Sequence, residues 1–219
     1  MEVKVKICGI NSLKAVDSAV EGGASFVGFV FYEPSPRNIS HEKAKLLSNR
    51  TPNHIDKVGV FVNPSDEELK LVNKSVTLSM IQLHGSESPE RVSEVRSLLG
   101  LPIIKAVQIE GDKDLLLMEK FKNIADWLLL DAKPNKNSVD SLPGGNALSF
   151  DWNILANRSF DFPWILSGGL NEKNIAEAIT ITNTKNVDVS SGVEDKPGYK
   201  NEKKIRNFLT KAHYQLRKL

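Results

Sequence analysis

Short apolar runs alternate with longer amphipathic stretches along the whole chain. The runs at 3–8, 26–31, 57–62, 79–83, 103–107, 127–131, 164–167 and 187–190 are rich in Val, Ile, Leu and Phe. They mostly lack strict polar alternation, the pattern of strands buried on both faces of a parallel sheet. Helical spacing fills the gaps. Ser12 caps a helix carrying Leu13, Val16, Ala19 and Val20, which stops at Gly22-Gly23. Ser40 precedes a second over 43–47. Ser65 opens a third, with Asp66, Glu67 and Glu68 placed to suit the helix dipole. Ser88-Pro89-Glu90 opens a fourth with proline at the first helical position, ending near Gly100. Residues 112–122 predict a fifth and 150–156 a short sixth. Asn171 is expected to cap a seventh through Ile179, and 201–216 make the eighth.

Eight strand–helix units predict an α/β chain closed as a (β/α)8 barrel (TIM barrel), a single domain over residues 1–219. The open doubly wound sheet is the competitor. It usually carries G-x-G-x-x-G in its first turn, and Cys8-Gly9-Ile10-Asn11 lacks that pattern. The one long irregular segment, 132–149, contains Pro134, Pro143, Gly144 and Gly145. A loop of that length inside a compact domain is more often functional than a linker.

Composition narrows the function classes. The formal net charge is +2, from 29 basic and 27 acidic residues, a near-balance that argues against a dedicated nucleic-acid binder. A local basic cluster at Lys200, Lys203, Lys204, Arg206 and Lys211 reads as the solvated face of the terminal helix. One cysteine cannot form an internal disulfide, so a reducing compartment is expected. No apolar run approaches the roughly 20 residues that span a bilayer, and the start of the chain reads as a strand, not a signal peptide. The expectation is a cytoplasmic protein with no membrane partner.

Active sites of such barrels form where strands hand over to their C-terminal loops. In order, those positions are Cys8, Arg37, Asn63, His84, Gln108, Asp131, Ser167-Gly168-Gly169 and 188–192. Cys8 is either a small buried hydrophobe or, on the rim, a base or nucleophile. Base duty needs a positive neighbour, and Lys6, two residues back, points the same way along a strand. Asp131 follows Trp127-Leu128-Leu129-Leu130. It is either a buried carboxylic acid that donates a proton or a structural ion pair, for instance with Lys133. Arg37, in Pro34-Ser35-Pro36-Arg37, suits a carboxylate or phosphate, or else is a surface arginine. His84 is a ligand, a proton carrier or a satisfied rim histidine. Gly168, Gly169, Ser190, Ser191 and Gly192, after the last two strands, form a candidate phosphate site. The scattered histidines and lone cysteine show no metal-ligand spacing.

These residues sit in motifs that resemble one family. Lys6-Ile7-Cys8-Gly9, Ser35-Pro36-Arg37-Asn38-Ile39-Ser40, Gly59-Val60-Phe61-Val62-Asn63 and Gln82-Leu83-His84-Gly85 occur in its order. So do Leu130-Asp131, Phe150-Asp151-Trp152, Ser167-Gly168-Gly169-Leu170 and Asp188-Val189-Ser190-Ser191-Gly192-Val193-Glu194. The family is phosphoribosylanthranilate isomerase of tryptophan biosynthesis, and the likeness spans nearly the whole chain. It implies a (β/α)8 barrel with no cofactor and an Amadori rearrangement of N-(5-phosphoribosyl)anthranilate. It implies Asp131 as general acid, Cys8 as general base and Arg37 on the anthranilate carboxylate. His84 and Asp188 match substrate-binding rim positions, and the two glycine loops match the phosphate site. The implied partner is a small phosphosugar, with no nucleic acid, in a monomer or homodimer. Two positions depart from the family pattern. Ala147 in Gly144-Gly145-Asn146-Ala147 stands where a glycine is usual, and Asn201 stands where an Asp is usual. The histidine-pathway isomerase, usually Asp where Cys8 stands, and indole-glycerol-phosphate synthase, with its lysine acid, fit less well. A phosphosugar-binding protein without catalysis is the remaining alternative.

Overall fold

The computed structural model describes residues 4–133, 144–145 and 148–216. Val3, Pro134, Pro143, Asn146 and Ala147 lie outside the described residues. Eight parallel strands close a barrel in sequence order: β1 (Lys4–Cys8), β2 (Phe26–Phe31), β3 (Asp56–Phe61), β4 (Met80–Leu83), β5 (Ile103–Ile109), β6 (Trp127–Ala132), β7 (Trp164–Leu166) and β8 (Asn186–Val189). β8 pairs with β1 to complete the ring, Lys6 lying opposite Asp188.

Alternation along each strand divides the core in two. Phe26, Val30, Val58, Val60, Met80, Ile104, Ala106, Leu129 and Ile165 fill the barrel interior together with Cys8. Their sequence neighbours, such as Val27, Phe29, Ile81, Leu83, Leu128 and Leu130, pack outward against the helices. Each fully buried side chain of this size contributes about 1.5–3 kcal/mol by leaving water. Strands apolar on both faces therefore have one stable place, between a filled barrel and a ring of helices.

Four helices begin as their serines predict. α1 (Leu13–Glu21), α2 (His41–Arg50), α3 (Asp66–Ser75) and α4 (Pro89–Leu99) start with Ser12, Ser40, Ser65 and Ser88 accepting a backbone N–H from the third helical residue. Each cap satisfies an amide that would otherwise lack a partner. The later units depart from expectation. Residues 112–115 form a 3-10 turn that leads into a four-residue α5 (Leu116–Glu119). Asp114 Oδ2 accepts from the N–H groups of Glu110 and Gly111, tightening the turn. The sixth unit is only a 3-10 turn, Trp152–Leu155, capped by Asp151. The seventh helix, α6 (Ile175–Thr182), starts four residues later than Asn171. Asn171 does not cap it, because its side chain serves the preceding loop: Nδ2 donates to Gly169 O and Oδ1 accepts from Lys173 N–H.

A small antiparallel hairpin, β9 (Glu194–Lys196) with β10 (Tyr199–Lys200), follows the barrel and was not expected. It turns at Pro197-Gly198 and leads into α7 (Glu202–Leu216), whose Lys204 N–H is capped by Asn201 Oδ1. This hairpin changes the reading of the basic cluster. Lys204 and Arg206 do lie on the helix surface, but the Lys200 side chain is fully buried beside the barrel mouth.

Candidate active site

The C-terminal ends of the strands open into one cavity with about 780 Å³ of empty space, its open mouth included. Cys8, Arg37, His84, Asp131, Gly144, Gly145, Gly168, Gly169, Asp188, Ser190 and Ser191 all reach it. Gly192 departs from expectation. It does not line the cavity; its Cα faces the Leu170 carbonyl and Asn171 across the gap between the two glycine loops. A side chain there has no room, so Gly192 brings the loops together without lining the space they enclose.

Cys8 ends β1, paired with Gly28 of β2. A Cβ added to Gly28 would stand 3.0 Å from Cys8 Sγ and 3.2 Å from Lys6 Nζ, so the thiol and the ammonium share one small space. Lys6 is fully buried and donates to Asp188 Oδ1 at 2.9 Å. Asp188 Oδ2 accepts from Ser167 Oγ at 3.3 Å. Burial opposes the Lys6 charge, but Asp188 and the Cys8 sulfur outweigh it and hold the ammonium above its ordinary pKa. Burial pushes the Cys8 thiol up, Asp188 adding to that and Lys6 and Lys200 opposing it. Cys8 is therefore held as a thiol at neutral pH.

Asp131 is buried on β6, three strands round the ring from Cys8. Its Oδ1 accepts from Ala132 N–H at 3.0 Å and its Oδ2 lies 3.1 Å from His84 Nε2. The Lys133 ion-pair alternative is not what forms, since Lys133 turns out to Glu110 at 3.1 Å. His84 Nδ1 lies 2.7 Å from Gln82 Nε2. Gly144 approaches this pair so closely that a Cβ would stand 2.5 Å from His84 Nε2 and 2.9 Å from Asp131 Oδ2.

Arg37 is buried, which removes the surface-arginine reading. Its fork grips Glu194, Nε to Oε1 at 2.8 Å and Nη2 to Oε2 at 2.9 Å, and Nη2 also reaches Gly145 O at 3.2 Å. Lys200 Nζ donates to the same Glu194 Oε1 at 2.7 Å and to Ser190 O at 2.9 Å. Burial alone would push the Glu194 carboxyl up, but Arg37 and Lys200 hold it below its ordinary range. Burial pushes Lys200 below the ordinary lysine value despite Glu194.

Gly168 and Gly169 carry φ of 87° and 64°, left-handed conformations that glycine adopts without strain. Asn171 and Asn174 both donate to Gly169 O, which fixes the loop. Ser190 Oγ donates to Cys8 O at 3.2 Å and ties the β8 loop to the end of β1. Ser191 begins a short 3-10 turn, Ser191–Val193, where the chain leaves β8.

Sequence reasoning assigned no role to Gln82, Glu194 or Lys200. The signal for Gln82 was a polar residue inside the apolar run Met80-Ile81-Gln82-Leu83. For Lys200 it was the Pro197-Gly198 turn, which folds residue 200 back towards Glu194. Among the described residues no cluster of three or more His, Cys, Asp or Glu is placed to hold a metal ion. No helix among them is long and apolar enough to cross a membrane.

A closed eight-stranded barrel with a cavity at its C-terminal rim, where the strand-end residues meet, has the architecture of a (β/α)8 enzyme. Residues 5–211 match the family model of N-(5'phosphoribosyl)anthranilate (PRA) isomerase. The chain is 49% identical over 212 residues to the N-(5'-phosphoribosyl)anthranilate isomerase of Paramagnetospirillum magneticum, covering 97% of this chain and 98% of that protein. It is 50% identical over 212 residues to that of Rhodospirillum centenum, covering 97% and 99%. The crystal structure of phosphoribosyl anthranilate isomerase from Thermotoga maritima matches with a TM-score of 0.85 at 37% identity, over 96% of this chain and 98% of that one. A phosphoribosyl anthranilate isomerase in complex with reduced 1-(o-carboxyphenylamino)-1-deoxyribulose 5-phosphate matches at 0.80 and 36%, with the same coverage. The chain belongs to the PRA isomerase family and is an isomerase.

Proposed function

We propose that this chain, as one catalytic domain in the cytoplasm, isomerises N-(5-phosphoribosyl)anthranilate to 1-(2-carboxyphenylamino)-1-deoxyribulose 5-phosphate in tryptophan biosynthesis. The observation that carries the reading is the convergence of Asp131, Cys8 and the two glycine loops on one cavity. Asp131 is the general acid. It protonates the furanose ring oxygen, the C1–O bond breaks, and the anilino nitrogen supplies electrons to form an iminium. Cys8 then takes the proton from C2, and the C–H electrons neutralise the iminium as an enolamine. Loss of the C2 hydroxyl proton and gain of a proton at C1 give the ketone, so no atom or electron is lost.

The raised Cys8 thiol fits this order of steps. A thiol that stays protonated at neutral pH is a poor base. The iminium places a positive charge one carbon from the proton to be removed, and Coulomb attraction then favours the thiolate. Cys8 becomes a base only after Asp131 has opened the ring. Arg37, steadied by Glu194, binds the anthranilate carboxylate. His84 and Asp188 flank the sugar. Gly168, Gly169, Ser190 and Ser191 hold the phosphate, and Gly192 sets the spacing of their loops.

The test is turnover of freshly made phosphoribosylanthranilate, followed by loss of its fluorescence. Wild type should turn it over, and Cys8→Ala and Asp131→Asn should each lose about 10²–10⁴-fold in kcat. Near wild-type rates in both variants would sink the acid–base assignment. Binding of the product without any turnover by wild type would sink the isomerase reading.

A further inference from the structure

The Gln82 amide is fully buried at an inward position of β4 and is used by no step above. Its Nε2 stands 2.7 Å from His84 Nδ1. Its Oε1 is buried with no hydrogen-bond partner among the described residues. Such a group is rare in a folded protein and calls for an explanation. The amide thus has one polar anchor, the imidazole, and its two ends have nearly the same shape.

Either end can face the ring. With the Gln82 NH2 on Nδ1, the neutral imidazole carries its proton on Nε2 and donates it to Asp131 Oδ2, 3.1 Å away. Asp131 Oδ1 already accepts from Ala132 N–H. Both carboxyl oxygens are then acceptors, and the His84–Asp131 contact holds a single proton, on Nε2. With Gln82 Oε1 on the ring, Nδ1 carries a proton, and the 3.1 Å contact between Nε2 and Asp131 Oδ2 needs a second proton shared between those two atoms. The two states differ by one proton, taken up from water at the open mouth, and by a half-turn of one amide.

We propose that Gln82 is a positioning residue whose amide orientation selects which ring nitrogens of His84 are protonated, and so decides whether the His84–Asp131 pair holds the proton that Asp131 gives. This rests on the acid role proposed for Asp131. The other ionisable groups around the pair are already committed or distant in role. Lys6 of β1 and Asp188 of β8 neutralise each other. Arg37 and Lys200 are held by Glu194. Lys105 of β5 points outward to Glu87. Tyr32, after β2, and Cys8 line the same cavity. The His84–Asp131 proton therefore answers mainly to Gln82.

The test uses the full chain with 15N-labelled histidine. Gln82→Glu offers an ionised acceptor to Nδ1–H, and Gln82→Met keeps the length while offering neither donor nor acceptor. In wild type, the His84 ring nitrogens should report the Nε2–H form in exchange with a form protonated at Nδ1. Gln82→Glu should drive the ring to the Nδ1–H form and move the alkaline limb of kcat up by about one pH unit. Gln82→Met should move that limb down and cost about tenfold or more in kcat, with KM changed less than about threefold. If Gln82→Glu fails to fold, the Met variant and the wild-type spectrum carry the test. Unchanged tautomer signals, or a kcat loss whose limb stays in place, would overturn the proposal and leave Gln82 a packing residue. Wild-type turnover by Asp131→Asn would instead remove the acid role, while the ring spectrum would still judge Gln82.

Discussion

Replacing Glu194 by Gln is expected to cost far more than its place on the small β9–β10 hairpin suggests. The carboxylate takes two bonds from Arg37, at 2.8 and 2.9 Å, and one from Lys200 at 2.7 Å. All three side chains are at most 6% exposed. A neutral amide of the same shape leaves two buried cations beside one another with no counter-charge. Breaking a buried ion pair by removing one partner costs about 3–5 kcal/mol. A protein of this size loses roughly 2–4 °C of Tm per kcal/mol, so a fall of about 6–20 °C is expected. The assay is thermal and urea unfolding of wild type and Glu194→Gln at pH 7 and at acid pH. The pH dependence has a definite sign. The folded Glu194 carboxyl sits below its unfolded value, so its stabilisation is present above about pH 4.3 and is lost as pH falls through the folded pKa. The gap between the two proteins should close in acid. Added salt should barely narrow it at pH 7, since buried pairs are weakly screened. A gap under about 2 °C at pH 7, or one that is equally wide in acid, would refute the reasoning.

Three further outcomes are expected. Iodoacetamide should alkylate Cys8 slowly at neutral pH and faster only above the ordinary thiol range of about 8.5, because burial raises the group; fast alkylation at pH 7 would contradict this. Gly169→Ala forces a side chain into a φ of 64° and a Cβ to 2.8 Å from Leu148 O; isothermal titration should show weakened product binding and unfolding a loss of about 1–3 kcal/mol. Lys105→Met removes the ammonium that bonds Glu87 Oε2 and Gly85 O, each at 2.8 Å, behind the loop carrying His84; urea unfolding should show a loss of about 3–5 kcal/mol.

The barrel was legible because its determinants are local. Strands such as Phe26–Phe31 are apolar on both faces, and Ser12, Ser40, Ser65 and Ser88 announce helix starts through bonds spanning three residues. The later units blur where short-range signals compete. Asn171 has the composition of a cap but spends its side chain on the Gly169 loop. The positions of the site residues were also legible, since strand ends converge in any such barrel. Their partners were not. Arg37 meets Glu194 across 157 positions in sequence, and Lys6 meets Asp188 across 182. Lys200 looked like helix surface because its burial depends on a hairpin folding back over the β8 loop. No periodicity encodes which buried charges pair; that follows only from the closed ring.

The central claim is that Cys8 removes the C2 proton after Asp131 opens the ring. Phosphoribosylanthranilate deuterated at C2 tests it most directly, with wild type and Cys8→Ala compared in single turnovers. Wild type should show a primary isotope effect on C2–H cleavage. Cys8→Ala should leave the deuterium on C2, slowing its loss by about 10²-fold or more. Loss of the deuterium at the wild-type rate in Cys8→Ala would contradict the account, because another group would then be the base.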